Sequence, residues 1–406
     1  MSTIPFDRAR LLEIASTFGT PTYVYSEALI RSRIRDILDA FEGMRLLYAM
    51  KANSHPWILK MMAAEGVGID AVSPAEALVA LACGHDPGHV FYSPNNVSDE
   101  ELDWAWRNNF VVNFGELQRI ESFAKGHPGA EICVRLNLNI GAGHHEHVVT
   151  GGTKSMFGIP GNYLEQVLNT TRQHGVRVVG IHQHIGSGST DPQPLVEGIE
   201  TIAEVARQID GLRFVNMGGG FGVSYEPDQT PLDLKQVASG ADAALSALAN
   251  SGVEVWFEPG RFLVAEAGVL LVRTNSIKQT ADRTFAGTDS GMNHLIRPSL
   301  YDAFHGIYNL SNDSADESVF DVVGNICETG DFFARHRRVS EIREGDYLAI
   351  LDAGAYAMSM ATHYNLRPLP AEVALLSTGE ARLISARSTA EEVANDILQR
   401  DVSATN

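Results

Sequence analysis

The sequence predicts an α/β chain in which a (β/α)8, TIM-like barrel is joined to a second, mostly antiparallel β domain of sandwich or barrel type. Three observations carry this. Eight short apolar runs alternate with helical stretches between about residues 45 and 262, residues with chemical potential follow nearly every run, and beyond Arg261 the texture changes to short strands separated by Gly, Asn and Asp.

The eight runs are Leu46 to Met50, Val67 to Val72, Val90 to Ser93, Phe110 to Phe114, Ile132 to Leu138, Val178 to His182, Phe214 to Met217 and Val253 to Phe257. Between them Pro74 to Leu81, Asp99 to Trp106, Glu116 to Phe123, Tyr163 to His174 and Leu195 to Gln208 have the periodicity of amphipathic helices. A doubly wound sheet is the alternative. It would scatter along an open edge the residues that follow the strands: Lys51, Asp70 with Ser73, Asn95 with Asn96, Arg135, His184 to Ser187, Gly218 to Gly220, and Glu258 to Arg261. A closed barrel gathers them at one face, where such folds place their sites. The later runs, Val269 to Thr274, Thr284 to Asp289, Val319 to Val323, Tyr347 to Leu351 and Ala381 to Ser385, make the second domain. Thr22 to Tyr25 is strand-like as well, so that domain is expected to draw on both termini. The boundaries are 1–25 for an N-terminal contribution, 26–262 for the barrel and 263–406 for the β domain. Polar Asn309 to Asp316 reads as a mobile loop and Asp401 to Asn406 as a frayed end.

Composition narrows the function. The chain has 406 residues, 44% of them hydrophobic, and a net charge of −19 without any basic run, which argues against a nucleic-acid partner. No run of about 18 apolar residues and no signal-like N-terminus occurs, so a cytoplasmic protein without a membrane span is expected. The three cysteines, Cys83, Cys133 and Cys327, are odd in number and far apart, a pattern of neither disulfides nor metal sites.

Lys51 ends the first apolar run, and a desolvated amine there would be suited to Schiff-base chemistry. Alone, it is equally a lysine snorkelling from a strand end. Gly218-Gly219-Gly220 follows the seventh run, where barrel loops often bind phosphate through backbone N–H groups, though a plain tight turn has the same composition. Beside it, His182 to Ser189 supplies imidazole, glycine and hydroxyl. His182 and His184 share a face at i, i+2, but His182 lies within the strand, which disfavours zinc; His144, His145 and His147 with Glu146 read as a solvated loop. No metal is expected. Glu258, closing the eighth run, is placed to stabilise a pyridinium cation. An amine, a phosphate cradle and an acid fit pyridoxal 5′-phosphate better than a nucleotide, and no P-loop or dinucleotide fingerprint competes. In the second domain, Asn325 to Asp331 puts the Cys327 thiol beside Glu328 and Asp331, although a cysteine is more often a buried small residue. Arg297 and Tyr301, four apart, share a face if helical and would suit a carboxylate. Small residues surround Tyr356, as where a backbone approaches a bound group.

These motifs resemble the diaminopimelate decarboxylases of the fold type III pyridoxal-phosphate decarboxylases, a group that includes ornithine and arginine decarboxylases and is related to alanine racemase. The resemblance spans Tyr23 to about Val373. It is carried by Tyr48-Ala49-Met50-Lys51-Ala52-Asn53, His184-Ile185-Gly186-Ser187, Gly218-Gly219-Gly220, Glu258-Pro259-Gly260-Arg261, Arg297-Pro298 with Tyr301, Cys327-Glu328-Thr329-Gly330-Asp331, and Arg367-Pro368 through Glu372. It implies that Lys51 carries the cofactor through a Schiff base and that His184 stacks on its ring. Gly218, Gly219, Gly220, Ser187, Gly260, Arg261 and Tyr356 would surround the phosphate, Glu258 would pair with the ring nitrogen, and Asp70 would join the cofactor shell. Arg261, Arg297, Tyr301, Glu328 and Tyr356 would hold substrate, with Cys327 catalytic and entering the neighbouring subunit's site together with Glu328. A homodimer with shared sites and decarboxylation of meso-2,6-diaminopimelate to L-lysine follow as expectations. Alternatives are decarboxylation of D-lysine, D-ornithine or a carrier-linked glutamate, a racemase, or a non-catalytic cofactor-binding decoy. The chain departs from the pattern at Thr329, where serine is usual, at Ala361 to Asn365, and at Met156, a position often basic in relatives, where it would pair with the Asp331 region across the dimer; Lys154 is the residue expected to compensate.

Overall fold

The structure is a computed structural model that describes residues 5–139 and 155–400. The His144, His145, Glu146 and His147 cluster, Lys154 and the 401–406 end lie outside the described residues. The chain divides into two compact units, one made of 34–224 and 230–262, the other of 1–33, 225–229 and 263–406.

In the first unit every expected barrel strand is present. Arg45–Ala49, Gly68–Ala71, Val90–Tyr92, Val111–Phe114, Glu131–Asn137, Arg177–His182, Phe214–Asn216 and Glu254–Phe257 pair in parallel, and the last closes on the first through Trp256 opposite Arg45. A two-residue strand, Ile159–Pro160, extends from Glu131–Asn137. The helices start where the sequence supplies caps. Ser73 and Ser98 accept from the backbone N–H groups of Glu76 and Glu101 to open Pro74–Ala82 and Asp99–Arg107, and Asp191 and Asp233 do the same for Pro192–Ala206 and Leu234–Gly240. Two short helices, Leu234–Gly240 and Asp242–Asn250, fill the seventh crossover, where the sequence carried no clear period.

The barrel interior includes Leu47, Phe91, Cys133, Val179, Phe214 and Trp256. Phe214 and Trp256 stack with centroids 3.8 Å apart at 4°, and Phe91 meets both edge-on. Gly180 makes room for this pair, because a Cβ on it would lie 2.1 Å from the Phe214 ring. The missing side chain lets the strand that carries His182 approach its neighbour.

The second unit is a mixed, mostly antiparallel sheet. Its main path runs Phe332–Ser340, Glu317–Val323, Thr284–Thr288, Gly268–Gln279, Thr22–Ser26, Ala371–Leu375 and Ala381–Ser385, with Tyr347–Ile350 and Ile307–Asn309 added beside Gly268–Gln279. The N-terminal strand lies in the middle, antiparallel to Gly268–Gln279 and parallel to Ala371–Leu375. Both ends of the chain therefore build this sheet. Around Val24, the core gathers Leu11, Ile14, Val269, Leu271, Leu310, Ala349 and Val373. Three strands escaped the sequence: Ile307–Asn309, Phe332–Ser340 and Ala371–Leu375. The second reads Phe-Phe-Ala-Arg-His-Arg-Arg-Val-Ser, an edge strand in which charge hides the alternation. A C-terminal helix, Ala390–Gln399, begins with a Thr389 and Glu392 capping box. The segment expected to be a mobile loop is tied down instead. Asn309, buried, donates to Glu341 O and Asp346 Oδ2 and accepts from the N–H groups of Ser311 and Asn312.

His294 stitches this unit internally. Its Nδ1 meets Ser290 Oγ at 2.9 Å, its Nε2 meets Pro368 O at 3.0 Å, and its carbonyl accepts from Tyr23 OH at 2.6 Å. Burial, aided by the positive neighbours His363 and Arg367, pushes the imidazole pKa down to about 4.

Two outcomes follow. Gly180→Ala overpacks the Phe214 and Trp256 stack and should cost about 1–3 kcal/mol, seen as a lower urea midpoint at unchanged slope. For His294, the unfolded imidazole protonates near its ordinary pH of about 6.5 while the folded one resists to about 4. Stability present above the first value is therefore lost as pH falls between the two, up to about 3 kcal/mol. Urea unfolding at pH 5 and 7.5 should show a smaller acid loss for His294→Asn than for the parent chain.

Candidate functional site

The barrel unit brings together Lys51, Asp70, His184, Ser187, Gly218, Gly219, Gly220, Glu258, Gly260 and Arg261 at the C-terminal ends of its strands. Lys51 sits in a single 3-10 turn, Met50–Ala52, immediately after the first strand. That turn corrects one expectation: the lysine is not desolvated, its side chain being 40% exposed. What fixes the amine is an ion pair of 3.0 Å to Asp70 Oδ2, from a carboxylate that is itself buried at the end of the second strand. Burial raises the Asp70 pKa and Lys51 draws it back. The second oxygen, Asp70 Oδ1, has no hydrogen-bond partner among the described residues.

Glu258, also buried, receives one hydrogen bond on each oxygen. Asn216 Nδ2 donates to Oε1 at 2.8 Å, and His182 Nε2 lies 3.2 Å from Oε2. Burial pushes its pKa up, while Lys51, Arg135 and Asn216 pull it down. Sequence reasoning set His182 aside as a strand residue and did not consider Asn113 or Asn216. The signal was there in the pattern: polar residues at the inward positions of three barrel strands, where apolar ones would be expected.

Two of the three glycines, Gly218 and Gly219, act differently from the expected ring of donors. Gly218 N–H donates to Asn216 Oδ1 at 2.9 Å and Gly219 N–H to His184 Nδ1 at 3.1 Å, so both amides are used internally. Their missing side chains are the requirement. A Cβ on Gly218, whose φ is +75°, would lie 2.2 Å from Gln183 O, and one on Gly219 would lie 2.5 Å from Glu258 O. The hydrogen bond from Gly219 leaves the His184 proton on Nε2. Burial, Arg135 and Lys51 hold that imidazole well below its ordinary pKa, hence neutral. Arg261, buried at the eighth strand end, reaches Ser187 Oγ at 3.2 Å. Gly260 fits against Ala49 and Ala52, where a Cβ would approach to 3.0 Å. Arg135, buried as well, lies 4.8 Å over the Phe157 ring. Among the described residues no group of three His, Cys, Asp or Glu is placed to hold a metal ion.

The sheet unit carries the remaining candidates. Arg297 and Tyr301 begin and end one helical turn, Arg297–Tyr301, as the four-residue spacing requires. Arg297 is fully buried, with Nη1 2.9 Å from His305 Nε2 and its guanidinium 4.4 Å over the Tyr225 ring. Tyr356 is held at φ +54°. The small residues ahead of it face backbone of the same unit, since a Cβ on Gly354 would sit 1.8 Å from Val264 O. Cys327 and Glu328 are exposed, Cys327 being the one cysteine of the three that is not buried. Asp331 does not join them. Its buried carboxylate accepts from Met292 N at 2.6 Å and Ile326 N at 2.7 Å, which makes it the clasp of the loop. Met156 itself is 80% exposed.

A model of the pyridoxal-dependent decarboxylase family, pyridoxal binding domain, matches residues 27–265. The diaminopimelate decarboxylase of Methanothermobacter thermautotrophicus is 40% identical over 397 residues, 94% of this chain and 92% of that one. The Escherichia coli K12 enzyme of the same name is 34% identical over 408 residues, 94% and 95% of the two chains. The crystal structure of diaminopimelate decarboxylase from Helicobacter pylori complexed with L-lysine matches with a TM-score of 0.88 at 34% identity, covering 96% of this chain and 99% of that one. A lysine/ornithine decarboxylase from Vibrio vulnificus, at 23% identity and a TM-score of 0.80, shares the fold. With a matching family model over most of the barrel and relatives at this identity over nearly its full length, the chain belongs to the diaminopimelate decarboxylases of the pyridoxal-dependent decarboxylase family.

Proposed function

We propose that the chain decarboxylates meso-2,6-diaminopimelate to L-lysine with pyridoxal 5′-phosphate, the last chemical step toward lysine, and that it works as a homodimer. The observation that carries this is a buried carboxylate, Glu258, held by neutral donors in the barrel unit that also presents an amine on a short turn.

The residues present fit the cofactor. Asp70 Oδ1 is an orphaned buried acceptor beside the amine. When bound, the cofactor supplies a sink for the electron pair released as the substrate loses CO2. The chain's own residues do the rest. Lys51 would be the covalent anchor, with Asp70 orienting its amine. Glu258 would hold a proton on the ring nitrogen, since an adjacent carboxylate favours the cation. Neutral His184 can lie against the ring without opposing that charge. Ser187, Gly218, Gly219, Gly220, Gly260, Arg261 and Tyr356 are assigned to the phosphate. Arg261, Arg297, Tyr301, Tyr356 and Glu328 are assigned to substrate. A guanidinium fork recognises a distal carboxylate through charge-assisted bonds that D-lysine and D-ornithine, which lack that group, cannot return. The exposed Cys327 and Glu328 are assigned to the site of a second copy, Cys327 returning the proton to Cα directly or through a water. Glu258 argues against a racemase, which needs a weak sink.

The test is CO2 release and product identity from a panel of meso-diaminopimelate, D-lysine and D-ornithine. L-lysine formed only from the first supports the proposal; turnover of the others at equal kcat/KM contradicts it. Lys51→Ala should abolish the visible absorbance of the bound cofactor and lower kcat by more than about a hundredfold. Normal turnover in that variant would sink the mechanism. Cys327→Ala should retain the cofactor band and slow turnover. If the band is lost instead, the cysteine is structural.

A further inference from the structure

We infer that His182 is a positioning residue for Glu258, the inner end of a buried relay that runs from Asn113 through His182 to the carboxylate, with Asn216 fixing its other oxygen. The inference rests on the assignment of Glu258 to the ring nitrogen. It concerns residues to which neither the sequence motifs nor that assignment gives a role.

All four side chains are buried, at 2% for Asn113, 1% for His182, 0% for Asn216 and 5% for Glu258. Each sits on a different barrel strand: Val111–Phe114, Arg177–His182 and Phe214–Asn216 carry the first three, and Glu258 follows Glu254–Phe257. The donors and acceptors can be assigned in one direction only. Asn113 Nδ2 bears hydrogens and meets Ser93 Oγ at 3.0 Å and His182 Nδ1 at 2.8 Å. His182 Nδ1 must therefore accept, which puts the proton of the neutral ring on Nε2. That N–H donates to Glu258 Oε2 at 3.2 Å. From the other side, Gly218 N–H donates to Asn216 Oδ1, which turns Asn216 so that its amide N–H donates to Glu258 Oε1. Each carboxylate oxygen thus receives one hydrogen and keeps lone-pair capacity for a further donor. Neutrality of His182 is required for this order, and burial together with Arg135 and Lys51 keeps its pKa well below the ordinary value.

A purely structural explanation is weaker. Three polar side chains inside a barrel cost desolvation that apolar residues of similar volume would avoid. Asn113 even leaves its Oδ1 without a partner among the described residues. Such an arrangement is expected where the direction of a group matters more than stability. The carboxylate it directs is the one that faces the cofactor assignment.

The experiment uses holoenzyme variants His182→Leu, His182→Gln, Glu258→Gln and the His182→Leu/Glu258→Gln double variant, with two readouts. One is the absorbance and visible circular dichroism of the bound cofactor; the other is kcat and KM with meso-diaminopimelate. His182→Leu should bind cofactor with an altered dichroic band and lose about tenfold to a hundredfold in kcat, the scale seen when an outer-shell partner is removed at metal sites. KM should stay within about twofold, as for an interaction made in the transition state. His182→Gln, which retains one donor and one acceptor, should restore most of both signals. The double variant should be no slower than Glu258→Gln alone, because the relay acts through that carboxylate. Multiplying defects, or a normal band and kcat in His182→Leu while Glu258→Gln is impaired, would overturn the relay and leave the function standing. Full activity in Glu258→Gln would overturn the assignment of Glu258 itself, and the relay with it. Should His182→Leu fail to fold, Asn113→Ala removes only the donor that fixes the tautomer. The same spectral change supports the relay there, and an unchanged spectrum and kcat refutes it.

Discussion

The barrel unit is organised around a compensation of buried charge. Two carboxylates, Asp70 and Glu258, and two guanidiniums, Arg135 and Arg261, are buried, and the Lys51 ammonium joins them through its ion pair. An isolated charge in such a place costs several kcal/mol, so each must be offset by a partner or a set of hydrogen bonds. The offsets are visible in the pKa directions. Burial raises Asp70 and Glu258, Lys51 lowers both, Arg135 lowers Glu258, and Arg135 is stabilised in return by Glu258 and Asp70. The two histidines settle the balance by staying neutral. A protonated His182 or His184 would add a further positive charge where burial and the cations Arg135 and Lys51 hold both imidazoles neutral.

That compensation constrains the backbone. For Glu258 to receive Asn216 and His182 together, the strands ending at 182, 216 and 257 must lie close, and two glycine contacts allow it. Gly180 lets Phe214 lie across it, and Gly219 lets the Glu258 carbonyl approach its Cα. Glu258 N–H in turn donates to Gly218 O at 2.8 Å. The glycine run is therefore part of the support of the carboxylate.

How much of this was legible in sequence differed by physical type. Parallel barrel strands are buried on both faces and read as continuous apolar runs, so all eight could be located. Strand Phe332–Ser340 could not, because an edge strand alternates with solvent and carries Arg335, His336, Arg337 and Arg338. Reactive groups at strand ends, such as Lys51 and Glu258, stood out against their apolar neighbours. Their supports did not: His182 and Asn216 lie within the strands, and their partners are 76 and 42 residues away in sequence. The exposure of Lys51 was equally invisible, since it depends on one 3-10 turn that lifts the residue off the strand.

Arg297 is buried against two groups that carry no charge, His305 and Tyr225. His305 donates from Nδ1 to Leu351 O at 2.7 Å, so its Nε2 is the acceptor that receives Arg297. A neutral imidazole and the face of Tyr225 orient the guanidinium without cancelling its charge. Nearby Asp352, whose carboxyl burial pushes up to about 7 with Glu266 adding to the effect, supplies only partial negative charge at neutral pH. An arginine fully paired to a low-pKa carboxylate would have little left for a ligand. Neither His305 nor Tyr225 offsets the Arg297 charge, and the proposed recognition of a second carboxylate would draw on that charge.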